Sequence, residues 1–83
     1  MLNVTNIERF LLNEVAPDLG KHALDPDEDL LEQRVIDSLG ILRLVSFLEQ
    51  SHGIRVMDEE IIPENFQSLN SIGRFVEQKT AGK

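Results

Sequence analysis

The 83-residue chain contains no cysteine, no tryptophan and no tyrosine. Without thiols it can form neither a disulfide nor a thiolate metal site, so nothing covalent or metallic staples the fold. Four phenylalanines are its only aromatic residues of the Phe, Trp and Tyr set, so the core has to be assembled mainly from leucine, isoleucine and valine. Basic residues are also few: 8 Lys and Arg against 15 Asp and Glu give a formal net charge of −7. A surface of that sign repels phosphate backbones and anionic membranes, which argues against nucleic-acid and membrane partners. It attracts partners with basic patches. No apolar run is long enough to span a bilayer. Met1 to Asn6 lacks the basic start and apolar centre of a secretory signal, and neither end carries a lipidation motif, so the expected location is the cytoplasm. Length and composition predict a single domain over residues 1–83, with its core at about 4–79 and a polar tail, Thr80-Ala81-Gly82-Lys83.

Hydrophobic periodicity predicts an all-α fold. The first helix is expected from about Asn6 to Ala16, with Thr5 and Glu8 forming a capping box. Ile7, Phe10, Leu11 and Val15 recur on one face, and Pro17 and Gly20 follow its end. Residues 17 to 36 form a long acidic connection anchored by Leu24, Leu30, Val35 and Ile36, with one short helical turn near Asp27 to Glu32. The second helix is expected to start at Ser38, capped by Asp37, and to end near His52 ahead of Gly53. Leu42, Val45 and Leu48 form its expected inner stripe, with Leu39, Ile41, Leu44 and Phe47 beside it. Ile54-Arg55-Val56-Met57 is locally strand-like, yet no partner strand is present. It is therefore expected as an extended linker whose Ile54 and Val56 plug the core. A short third helix is placed within Asp58 to Asn65, with Ile61 and Ile62 facing in and Pro63 limiting its length. The last helix spans about Leu69 to Lys79 behind Ser68 as its cap. Leu69, Ile72, Phe75 and Val76 face inward, and Phe66 folds back onto the helix start. The sum is a small four-helix bundle: three main helices, one short one, and a long loop between the first and second.

Few patterns in the chain carry chemistry. Asp25, Asp27 and Asp29 match the first, third and fifth positions of a calcium loop, but the required sixth-position glycine and twelfth-position glutamate are replaced by Leu30 and Ile36. A solvated acidic loop is the expected role. His22 and His52, the two histidines, are far apart in sequence and lack a cysteine partner for zinc. His52 at a helix C-terminus is accounted for by the negative end of the dipole. No nucleophile elbow surrounds Ser38, and no glycine-rich phosphate loop occurs. These observations predict neither catalytic residues nor a metal site. What remains is Asp37-Ser38-Leu39, which taken alone is an ordinary helix start.

Its surroundings give that tripeptide a second meaning. The acidic loop Leu24-Asp25-Pro26-Asp27-Glu28-Asp29-Leu30-Leu31 leads to Ile36-Asp37-Ser38-Leu39. Leu44-Val45 and Leu48-Glu49 follow, then Gly53-Ile54 and Val56, with Ile72 and Val76 in the last helix. Over nearly its whole length the chain thereby resembles the acyl carrier protein family. The resemblance implies that Ser38 carries 4′-phosphopantetheine through a phosphodiester. A phosphopantetheinyl transferase would take that group from coenzyme A, with Asp37 serving recognition or metal positioning during transfer. It further implies a monomeric carrier, not an enzyme, that holds acyl or aminoacyl groups as thioesters on the thiol of the arm. An acyl- or aminoacyl-activating enzyme and downstream acyl-transferring enzymes are the implied partners, in fatty-acid-like, polyketide or nonribosomal peptide biosynthesis. Leu39 and Ile41, beside Ser38 and off the expected inner stripe, are candidate partner-binding residues together with Arg43.

The chain departs from the family pattern at several positions. Gly40 stands where a polar residue is common, and Arg43 where carriers of fatty-acid synthesis usually show an acid. Met57 replaces a frequent proline and His52 a frequent aromatic. Arg43 alters the charge of the docking face. Pro63-Glu64-Asn65-Phe66 is closer to carriers served by a separate activating enzyme. The alternative function is an unmodified helical adaptor that keeps a carrier-like fold and binds a basic partner without using Ser38.

Overall fold

The computed structural model describes residues 4–17 and 24–81. Gly20 and His22, and the Gly82-Lys83 end of the expected tail, lie outside the described residues. Among the described residues there are helices and loops but no strand, as the periodicity predicts. Helix α1 (Thr5–Phe10) continues directly into a π-helical turn, Leu11–Val15. Helix α2 is Ser38–His52, followed by an extended segment, a 3₁₀ turn at Asp58–Glu60, the short α3 (Pro63–Phe66) and α4 (Leu69–Ala81). No helix among the described residues is long and apolar enough to cross a membrane.

The core is aliphatic, as the shortage of aromatics requires. Ile7 and Leu11 from the first helix meet Leu44, Val45 and Leu48 from α2 and Leu69, Ile72, Phe75 and Val76 from α4. The loop contributes Leu24, Leu30, Val35 and Ile36, and the segment after α2 contributes Ile54 and Val56, all buried as their sequence context predicts. Two inner-face expectations fail. Leu42 is 57% exposed and Leu44 is fully buried, so the inner stripe of α2 is rotated from the expected one. Ile62 is likewise exposed, because Pro63 opens α3 at its first turn and leaves Ile62 outside the helix in extended conformation. Proline suits that position, having no N–H to leave unpaired.

The start of α1 also differs. Val4 occupies the N-cap position, no side chain caps the end, and Thr5 is already helical. Glu8 does not reach back into a capping box. Its carboxylate instead accepts the N–H of Leu24 at 2.7 Å, fastening the loop at that point to the first helix.

The long connection is built from local polar contacts. Asp29 Oδ1 accepts the N–H groups of Leu31 and Glu32 at 3.1 and 2.9 Å, which caps a single helical turn. That turn sits slightly later than the expected Asp27 to Glu32. It closes with Arg34 in the left-handed region, φ 60°. The Val35 N–H then donates to the Leu30 carbonyl at 2.9 Å and the Arg34 N–H to the Leu31 carbonyl at 3.2 Å. This is the double-bonded Schellman ending, with buried Leu30 and Val35 as its apolar pair. The loop is tied to the far side of the bundle as well. Leu30 N–H donates to the Gln67 carbonyl at 2.6 Å, Asn70 N–H to the Pro26 carbonyl at 3.0 Å, and Asn70 Nδ2 to Asp27 Oδ1 at 2.6 Å.

Helix α3 has four residues, too few to hold itself. It is held by Phe66, fully buried with its ring 5.4 Å from that of Phe75; burying such a side chain contributes about 1.5–3 kcal/mol. Ser68 caps α4 as expected, accepting the Ser71 N–H at 3.1 Å. Helix α4 runs to Ala81, so Thr80 and Ala81 belong to the helix and not to a polar tail. Lys79 bridges to Glu60 at 2.8 Å. That ammonium, with the Met57 N–H, holds the Glu60 carboxyl below its usual range.

A left-handed arginine is strained by its own Cβ, and glycine at that position is not. Arg34→Gly should therefore raise stability by about 1 kcal/mol. The expected result is a higher urea midpoint at unchanged slope.

Candidate functional site

The site is the junction where the loop becomes α2. Asp37 has extended backbone, φ −112° and ψ −172°, and its side chain turns back over the helix that follows. Oδ1 accepts the Gly40 N–H at 2.7 Å, and the Asp37 carbonyl accepts the first main-chain bond of the helix, from Ile41 N–H at 2.9 Å. This is the N-cap the sequence predicts. Gly53 closes the other end in the left-handed region, φ 64°, also as predicted. Between these two stops α2 is a 15-residue helix with Ser38 as its first residue.

Ser38 is exposed, and so are Asp37 and Leu39. An exposed hydroxyl at the positive end of a helix of this length is accessible to an external reagent. The dipole and first-turn N–H groups favour a phosphate attached there, so the residues present fit a phosphate-linked group on Ser38. His52 lies at the opposite end of α2, roughly 20 Å away along the axis at about 1.5 Å per residue. Its Nε2 is enclosed without a hydrogen-bond partner among the described residues. The acids of the preceding loop are turn formers. Asp25 Oδ1 accepts the Asp27 N–H at 2.9 Å, Asp29 caps the short turn, and Asp27 bonds Asn70. Among the described residues no group of three or more His, Asp or Glu side chains is placed to hold a metal ion.

Of the residues expected near a partner, Leu39 is 66% exposed and Arg43 is exposed one turn further on. Ile41 does not stand off the inner stripe as expected; it is half-buried and packed against the core. Leu42, expected inside, takes the outward place. Ser38, Leu39, Leu42 and Arg43 are neighbours at three- and four-residue spacing on one solvent-facing side. Sequence reasoning overlooked Leu42 because α2 is apolar on most of its circumference. A clue was available in Gly40, whose lack of a side chain marks the side that meets another element. Gly40 is buried, and a Cβ there would lie 2.9 Å from Val15 Cγ1, 3.2 Å from Asp37 Oδ1 and 3.3 Å from Ile36 Cγ2. The weak helix propensity of glycine in the first turn is thus offset by a close seat against the end of the first helix.

A four-helix bundle with a capped, exposed serine after a long anchored loop defines a class, the small helical carrier domains. Residues 9–76 match the family model described as phosphopantetheine attachment site, and the chain belongs to that family of acyl and peptidyl carrier proteins. The group that such domains carry is covalent 4′-phosphopantetheine. The chain is 33% identical over 78 residues to the probable acyl carrier protein PigG of Serratia sp. (strain ATCC 39006), covering 90% of each. It is also similar to the solved structure of KstB-PCP(apo), a peptidyl carrier protein, with a TM-score of 0.73 and 38% identity over 90% of this chain and 82% of the other.

The Asp37 cap can be weighed directly. Asp37→Ala should cost about 1 kcal/mol in urea denaturation, and Asp37→Asn, which keeps an acceptor for the Gly40 N–H, clearly less.

Proposed function

We propose that Ser38 is the attachment residue and that the chain, as one carrier domain, presents acyl or aminoacyl groups to the enzymes of a biosynthetic pathway in the cytoplasm. The observation that carries this reading is the exposed Ser38 hydroxyl at the first position of α2, directly after the Asp37 cap. In the attachment step the serine oxygen bonds to the β-phosphorus of coenzyme A. The pyrophosphate bond to the nucleotide breaks, 3′,5′-ADP leaves, and the hydroxyl proton passes to a base on the transferase. The chain's part is to hold the hydroxyl outward and to receive the new phosphodiester at the helix N-terminus. Once attached, the arm supplies the thiol that bears the cargo as a thioester, a thiol the cysteine-free chain lacks. Asp37 keeps one oxygen on the Gly40 N–H while lying exposed beside Ser38, a position suited to recognition by the transferase.

The names of the similar proteins, an acyl carrier and a peptidyl carrier, support a carrier of acyl or aminoacyl groups; loading by a separate activating enzyme is the direction in which Pro63-Glu64-Asn65-Phe66 points. Partner enzymes dock on the outward side of α2 through Leu39, Leu42 and Arg43, with the half-buried Ile41 contributing only its edge. Leu39→Asp and Leu42→Asp should each raise the KM for the carrier in the transferase reaction, the former by roughly tenfold, the scale of losing one apolar anchor. Circular dichroism should be unchanged, because neither side chain is buried in the core.

The decisive measurement is intact mass after incubation with coenzyme A, magnesium and a broad-specificity phosphopantetheinyl transferase. Wild type should gain one phosphopantetheine and Ser38→Ala none. A folded wild type that gains nothing, with a known carrier modified in parallel, would replace this reading with that of an unmodified adaptor.

A further inference from the structure

Gly40 is two residues from Ser38, and its backbone does not require glycine. Among the described residues the left-handed region is occupied by Arg34 and Gly53, not by Gly40. Glycine is a poor helix former, so helix formation does not account for it in the first turn of α2. Space does. The three atoms that a Cβ would meet come from three different elements: Val15 from the π-helical turn, Ile36 from the end of the loop, and Asp37 from the cap. All three elements converge at residue 40, two residues after the serine.

We infer that Gly40 is a positioning residue for phosphopantetheine attachment: by seating the first turn of α2 flush against Val15, it fixes the pose of the Ser38 hydroxyl. The inference rests on the attachment reading above and goes beyond it by assigning a residue that contacts neither the cofactor nor the transferase. The π-helical turn is part of the device. Its wide bond, Ala16 N–H to the Leu11 carbonyl at 2.8 Å, closes the segment that ends with Val15 at Gly40. Valine is β-branched and stiff at its first torsion, so Cγ1 cannot swing aside freely. A methyl group at position 40 must therefore lift α2 from the first helix or push Asp37 Oδ1 off the Gly40 N–H. Either movement is transmitted to Ser38 through the same turn of backbone. Displacing a reacting atom by about 1 Å is enough to cost up to about a hundredfold in rate. Leu39 and Arg43 project to solvent, away from the buried side of Gly40, so docking is spared.

This arrangement predicts a particular kinetic signature. Transferase kinetics are measured at saturating coenzyme A and magnesium over a range of carrier concentrations, alongside thermal unfolding and amide hydrogen exchange at residue 40. Gly40→Ala should lower kcat by about tenfold or more with KM within about twofold. Adding Val15→Ala in the same chain, which opens the space a Cβ needs, should recover kcat to within about threefold of wild type and restore protection of the residue 40 amide. A merely destabilising substitution would act differently: it lowers the folded fraction, so the apparent KM rises and kcat at saturation is kept. Should Gly40→Ala fail to fold, Val15→Ile serves as the milder wedge and should reduce kcat in the same sense. Unchanged kcat in the folded wedge variant, or a double variant as heat-stable as wild type whose kcat does not recover, overturns the inference and leaves attachment intact. A wild type that is never modified overturns the attachment reading, and this inference with it.

Discussion

The peptide groups on either side of the Leu30 Cα form the constraint on which the rest of the structure depends. The Leu30 N–H reaches the Gln67 carbonyl at 2.6 Å, between α3 and α4, and its carbonyl accepts both the Val35 and the Ile36 N–H, at 2.9 and 3.2 Å. Its side chain is fully buried. One residue thereby ties the middle of a long loop to the far end of the bundle and sets where the chain emerges toward Asp37 and Ser38. Buried main-chain groups have to be paired, so these bonds are a condition of burying the loop's apolar residues at all. A connection of this length would otherwise be a liability in so small a domain. Here it behaves as a further layer of the core.

The acidity of the chain has two components. Some carboxylates are consumed by structure: Glu8 holds Leu24, Asp29 caps the turn before Arg34, Asp37 caps α2, Glu49 accepts the Val56 N–H at 2.9 Å, and Glu60 receives Lys79. Glu8, Asp29 and Glu49 satisfy main-chain N–H groups of segments between helices, Asp37 one in the first turn of α2, and Glu60 the Lys79 ammonium of α4. The long-range charge that attracts a basic partner is therefore partly a by-product of how loops are fastened in a domain without disulfides. Arg43 departs from this on the exposed side of α2 next to Leu39 and Leu42. A partner meeting that side has to accommodate a cation among apolar contacts.

Helix α2 was legible because its two ends are encoded locally, in Asp37 before it and Gly53 after it. The burial of Leu30, Val35, Ile36, Ile54 and Val56 was legible because each belongs to a group of one or two apolar residues set in a polar stretch between helices. The face of α2 was not. In a helix apolar on most sides the period does not select one; the choice falls to the contact of Gly40 with Val15, across 25 residues of chain. Thr5 and Glu8 fit a capping pattern, yet Glu8 found a distant partner in Leu24 and the local pattern lost. No signal marked Arg34, since the left-handed ending usually shows Gly or Asn. The Asp37-Ser38-Leu39 signature was legible as a pattern before any geometry, whereas the seat beneath it needed coordinates.

The segment from Gly53 to Phe66 is fastened by three holds of different kinds. Glu49 grips the Val56 N–H, Phe66 is buried against Phe75, and Lys79 clasps Glu60 across 2.8 Å. With a four-residue helix as its one α-helical stretch, it depends on these contacts, and on the buried Ile54 and Val56, rather than on helix of its own. Its ionic hold is screened by salt, and because Glu60 titrates below the ordinary carboxylate range, that hold persists through mild acid and fails only as the pH falls past that lowered value. The Lys79–Glu60 pair is thus weakened by salt at neutral pH and by protons only below the ordinary carboxylate range. The end of α2 that bears Ser38 draws on other contacts, those of Leu30 and Val15, and neither is ionic.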